Sequence, residues 1–145
     1  MAIKRSADAI WHGNLTEGSG TLSAPGGVLK NTPYSFKTRF GTEAGTNPEE
    51  LIAAAHAGCF TMAFSASLMK AGFTADSLTT HADLTMDQVE GGFAISAIHL
   101  TTRGSVPGIN AAKFLEIAEV LSWFGRGGRE QHVRHALEVL QPERR

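Results

Sequence analysis

Three observations predict an α+β fold in which antiparallel sheets pack around long central helices. Strand-like and helix-like stretches come in blocks, in the order βββ–α–ββ–α, rather than alternating singly. The strand-like runs are joined by glycine- and proline-containing turns of the hairpin kind. A long apolar stretch with helical periodicity, residues 46 to 72, divides the two blocks. With 145 residues, 42% of them apolar and 19% charged, a single domain spanning 1–145 and able to bury a core is expected.

Taken in order, Ile3 to His12 is strand-like and weakly alternating, with Trp11 near its end. Asn14 to Gly20 is turn material, and Thr21–Ser23 resumes an extended run before Pro25-Gly26-Gly27. Pro33 to Phe40 alternates, with Tyr34, Phe36 and Thr38 on one face and Ser35, Lys37 and Arg39 on the other. These runs read as an N-terminal antiparallel meander.

The central helix has a full set of start signals. Asn47 suits the N-cap, Pro48 the first helical position, and Glu49 and Glu50 the positive end of the dipole. Leu51, Ile52, Ala55, Cys59, Met62, Ala63, Ala66 and Met69 recur at helical spacing, and Gly72 stops the helix. Both faces are apolar and small, which predicts a buried helix. Gly58 costs about 1 kcal/mol relative to alanine and hints at a close-packed neighbour.

Ser77 to Val89 alternates and turns at Glu90-Gly91-Gly92 into Phe93 to Gly104, a hairpin in which Ile98 and Leu100 fall out of strict phase. Asn110 caps a second helix with Phe114, Ile117, Ala118 and Leu121 on one face. The character changes from Ser122. Residues 123–145 hold five arginines and the breaker run Gly125 to Gly128, after which Val133, Ala136, Leu137 and Leu140 form a short amphipathic helical stripe.

The net charge of −1 gives no electrostatic case for nucleic acid or an anionic membrane. The apolar helix carries His56, Ser65 and Ser67, so no membrane span is expected. The N-terminus has no apolar signal-peptide core, and a single cysteine excludes an intrachain disulfide framework, so a cytoplasmic protein is expected.

Cys59 has two readings. It is a small core residue, or it is a nucleophile, in which case a cationic neighbour must favour its thiolate. His56, one turn earlier on the same face, either pairs with Cys59 or is a packed core histidine. Arg39 on a strand's polar face is otherwise a solvated residue, and Glu49 a first-turn dipole residue. His132 and His135 are three apart, but no further ligand stands at metal-binding spacing, and no metal or other cofactor is expected.

PYSFKTRF, followed after a short gap by GTNPEELIAAAHAGCFTMAFS, resembles the motif of the OsmC/Ohr family (osmotically inducible protein C and organic hydroperoxide resistance proteins). WHGNLTEGSGTLS, GGVL and GFAISAIHLTTRGSVPGI resemble the OsmC branch, and the likeness runs from about Ala2 to Glu119. The resemblance implies an intertwined homodimer with active sites at its interface. It also implies a thiol peroxidase of oxidative and osmotic stress defence that reduces organic hydroperoxides and, less well, hydrogen peroxide. By motif position Cys59 is the peroxidatic cysteine, Glu49 the catalytic glutamate and Arg39 the arginine of the OsmC branch. Ten residues of helix separate Glu49 from Cys59 by ~15 Å. The expectation is therefore that Glu49, with Arg39, reaches Cys59 of the other subunit.

The chain departs from the family after the second helix. The family's second cysteine, which resolves the sulfenic acid, has no counterpart after Cys59, and no proline lies between Pro107 and Pro142. Residues 122–145 read as an atypical, frameshifted or otherwise altered tail, either a docked helix or partly disordered, in place of the family's final strand. An external thiol or dithiol must then act as reductant, and turnover is expected to be impaired or of the one-cysteine kind. The alternative is a catalytically inactive dimeric stress or ligand-binding protein with an inert Cys59.

Overall fold

The computed structural model describes residues 1–122 and 134–140. The chain divides into two compact units, Met1–Leu51 and Ile52–Arg145.

In the first unit, β1 (Asp8–His12), β2 (Ser19–Ser23) and β3 (Thr32–Ser35) form an antiparallel meander in sequence order, as expected, although β1 begins only at Asp8. The register places Gly20 between Trp11 on β1 and Tyr34 on β3. The two rings close over it with centroids 5.4 Å apart. A Cβ on Gly20 would lie 2.6 Å from the Tyr34 ring and 2.8 Å from the Trp11 ring, and would also collide with the Ile10 carbonyl. Glycine is required there by space alone.

The strand expected over Pro33–Phe40 is half wrong. Extended backbone ends at Ser35, and Phe36–Phe40 is a helical turn, α1. Ser35 and Thr38 form a reciprocal capping box: the Ser35 hydroxyl accepts from Thr38 N–H at 3.2 Å and the Thr38 hydroxyl from Ser35 N–H at 2.9 Å. Phe36 and Phe40, four apart, then meet with ring centroids 4.8 Å apart. Positions four apart share a face in both strand and helix, so apolar spacing alone could not separate the two. Arg39 consequently sits on a helical turn, not on the polar face of a strand.

The central helix, α2 (Pro48–Lys70), matches its expected bounds. It ends in a Schellman arrangement in which Phe73 N–H bonds the Leu68 carbonyl at 2.9 Å and Gly72, at φ +88°, bonds the Met69 carbonyl at 3.0 Å. The expectation that α2 is buried all round does not hold for the single chain. Only Phe60, Phe64 and Leu68 are buried, one stripe at a spacing of four, while Met62 and Met69 are exposed. A helix packed on one sheet covers only one such stripe. By length and composition α2 could cross a membrane; its buried stripe instead belongs to the protein core.

In the second unit, β4 (Ser77–Val89) and β5 (Gly92–Ser105) form the expected hairpin. The register passes from Thr85↔Ala97 to Met86↔Ile95 and leaves Ser96 unpaired. This bulge explains the broken phase of β5: one extra residue lets Ile95 on one side of it, and Ile98 and Leu100 on the other, all contribute to the core. α3 (Ala111–Ser122) is capped as expected, with the Asn110 side chain accepting from Lys113 N–H at 2.8 Å. Phe114, Ile117, Ala118 and Leu121 pack against α2 and the hairpin in one cluster with Phe60, Phe64 and Leu68. Gly104 admits the Phe114 ring, since a Cβ there would lie 2.7 Å from it. The fully buried Thr102 hydroxyl is satisfied by the Thr79 carbonyl and the Thr80 hydroxyl, which in turn meets Thr61 on α2.

The tail corrects a further expectation. Arg134–Leu140 is not a helix but a strand, β6, pairing parallel with β5 to give the order β4-β5-β6. The outer edge of β5 offers a row of unpaired backbone groups, and α3 supplies the helical crossover that a parallel pair requires. A terminal strand is therefore present where its loss was expected. Trp123, the run Gly125 to Gly128, His132 and Val133 lie outside the described residues, as do 141–145.

Candidate active site

Arg39 and Glu49 meet. The Arg39 guanidinium approaches the carboxylate side-on, Nη2 donating to Oε1 at 2.7 Å and Nε reaching Oε1 and Oε2 at 3.1 and 3.2 Å. This is a charge-assisted fork that fixes the plane of the guanidinium as well as its position. The Glu49 side chain is 16% exposed and that of Arg39 35%, so the pair is partly desolvated on the carboxylate side and open on the other. The Arg39 guanidinium also stands 5.0 Å from the Phe40 ring centroid, within cation–π range.

Local sequence explains the pairing. The capping box holds α1, which carries Arg39, and the Asn47 cap sets the first turn of α2, which carries Glu49. Beside them Trp11, Leu15, Tyr34, Ser35, Phe36, Arg39 and Phe40 line a cavity of about 240 Å³. Its walls are largely aromatic with one cation, the pattern of a site for a mostly apolar small molecule. Sequence alone did not single out Trp11, Leu15, Tyr34 or Phe36. Gly20, read from sequence as the end of a turn, lies inside β2, where a glycine marks a close approach.

Cys59 is a free thiol, exposed in the single chain. It stands ten residues beyond Glu49 on the uninterrupted α2, a rise of about 15 Å. Thus two of the three expected site residues are brought together, and the third lies further along the helix of Glu49. The core-filler reading of Cys59 is not supported, since its neighbour Phe60, not Cys59, faces the core. His56 is half-buried one turn earlier. Among the described residues no cluster of three or more His, Cys, Asp or Glu side chains is placed to hold a metal.

The family model "OsmC-like protein" matches residues 41–122. Peroxiredoxin OsmC of Escherichia coli K12 is 52% identical over 114 residues, 79% of this chain and 80% of that one. The chain belongs to the OsmC-like protein family. Solved structures agree at the level of fold. An organic hydroperoxide resistance protein from Elizabethkingia anophelis superposes with a TM-score of 0.73 at 21% identity, covering 98% of this chain and all of that one. OhrB of Bacillus subtilis gives 0.66 at 24% identity, covering 93% and 98%. The expected α+β class and OsmC/Ohr family are both borne out. The part of the chain matched by the family model includes both Glu49 and Cys59, whereas Arg39 lies just before it.

Proposed function

We propose that this chain is a cysteine-based peroxidase of the peroxiredoxin kind that reduces organic hydroperoxides and, less well, hydrogen peroxide. The observation that carries this reading is the side-on Arg39–Glu49 pair beside an aromatic cavity, in a chain that also presents an exposed thiol on the helix of Glu49.

In this reading the Cys59 thiolate attacks the terminal hydroperoxide oxygen. The O–O bond breaks, the alkoxide leaves and takes a proton to become the alcohol, and Cys59 becomes a sulfenic acid. Arg39 stabilises the thiolate and the negative charge developing on the peroxide oxygens, while Glu49 holds the guanidinium in place. The cavity accommodates the alkyl part, which favours organic substrates over hydrogen peroxide. Because the chain has one cysteine, an external thiol attacks the sulfenic sulfur, releasing water and forming a mixed disulfide, and a second thiol frees Cys59.

The chain acts as a homodimer in which Arg39 and Glu49 of one subunit serve Cys59 of the other. The helical rise between Glu49 and Cys59 and the exposed apolar side chains of α2 (Ile52, Met62 and Met69) support this arrangement. In the dimer residues 1–145 act as one domain, in the cytoplasm.

The test is consumption of an alkyl hydroperoxide with a small dithiol, beside Cys59→Ser. Sustained Cys59-dependent turnover is expected. One equivalent consumed and no more would mean that resolution is lost in this chain. Equal rates for the two proteins would end the enzymatic reading in favour of a dimeric ligand-binding protein, for which the apolar cavity alone speaks.

A further inference from the structure

Asn47 does more than start a helix. Its Oδ1 accepts from Glu50 N–H at 2.9 Å, the N-cap bond of α2, while its Nδ2 donates to the Thr38 carbonyl at 3.1 Å. Thr38 belongs to the last turn of α1, where carbonyls have no partner within the helix. One half-buried side chain therefore closes an orphan donor at the start of α2 and an orphan acceptor at the end of α1. Only one orientation of the amide satisfies both bonds.

Each helix end so joined carries one member of the charge pair. Arg39 follows Thr38 directly, and Glu49 lies two residues after Asn47. We infer that Asn47 is a positioning residue for the Arg39–Glu49 pair, a clamp that sets the separation of the two backbones so that the side-on fork can form. This rests on the peroxidase reading for its consequence in turnover, but not for its geometry.

The chemistry restricts the clamp to asparagine. Aspartate caps a helix as well as asparagine does, yet it has no donor and would set a carboxylate oxygen against the Thr38 carbonyl. Serine also caps, but its shorter hydroxyl serves the α2 end alone. Both replacements keep the helix start and remove the link. Serine does so without adding charge, which separates loss of the donor from any pull of a new carboxylate on Arg39.

The experiment compares the full chain with Asn47→Ser and Asn47→Asp by two readouts. The first is hydrogen exchange of the Arg39 Nε–H, followed by nitrogen-15 NMR at a pH where the fork is formed. It is expected to quicken about tenfold or more in both variants, with the thermal midpoint nearly unchanged because α2 remains capped. The second is Cys59-dependent reduction of an alkyl hydroperoxide, whose kcat/KM is expected to fall about 10- to 100-fold, since small displacements of a positioned group cost on that scale. Wild-type Arg39 exchange in Asn47→Ser would overturn the clamp, and quickened exchange with wild-type turnover would overturn its consequence for turnover. If Cys59→Ser matches the wild type in turnover, the peroxidase reading has failed instead, and the exchange measurement alone decides whether Asn47 positions the pair.

Discussion

Within residues 1–51 the Arg39–Glu49 pair is held by polar contacts made close by in sequence: Ser35 with Thr38, Thr38 with Asn47, Asn47 with Glu50. Within residues 52–145 the helix that carries Cys59 is held by apolar side chains from far along the chain, Phe64 against Phe114 above all. The first arrangement is directional and tolerates little change of residue type. The second is set by volume, and would move Cys59 only by moving the whole helix. A guanidinium paired side-on needs an orientation, whereas a side chain on a helix needs only a stable helix.

The most disruptive test of this contrast is in the packed region. Phe64 is fully buried between Phe60 and Phe114, so Phe64→Ala is expected to destabilise by about 3–5 kcal/mol in urea unfolding. A loss under about 1 kcal/mol would mean that the core is not centred on this ring. The directional side is sharpened by Arg39→Lys, which keeps the charge and loses the fork. A fall of about 100-fold in kcat/KM for an alkyl hydroperoxide is expected, with little change in stability. Wild-type turnover would show that charge alone is enough.

Gly20→Ala probes the aromatic wall of the cavity. Its Cβ would force the Trp11 and Tyr34 rings apart, and a cost of about 1–3 kcal/mol with altered tryptophan fluorescence is expected. An unchanged spectrum and midpoint would contradict the observed closure. Smallest is Asn110→Ala, which removes only the cap of α3, at about 1 kcal/mol. Because among the described residues Asn110 makes no link comparable to that of Asn47, its loss should leave kcat/KM unchanged. A parallel loss of activity would erase the distinction between the two capping asparagines.

The legible parts of the chain were those whose signals are local. Asn47-Pro48-Glu49-Glu50 marks the start of α2 and Gly72 its end, and Asn110 marks α3, because caps depend on a handful of adjacent residues. Motif likeness put Arg39, Glu49 and Cys59 forward as candidates, and the first two do meet. The turn at Phe36 was not, since the pair Phe36 and Phe40 fits both periods and only the Ser35–Thr38 box decides between them.

By itself the sequence determined the block order of elements up to the second long helix, both ends of α2 and the start of α3, the hairpin from Ser77 to Gly104 and the family. The elements follow from periodicity and capping, which act over one or two turns of chain, and the family from likeness of motifs. Only the tertiary structure decided which stripe of α2 faces a core, where a bulge at Ser96 shifts the face of β5, that Arg134–Leu140 is a strand, and that Trp11 and Tyr34 close over Gly20. Each of those depends on what lies on the other side of an element. A strand forms at residues 134–140 because β5 offers an open edge there, and half of an apolar helix stays exposed because one sheet covers one face.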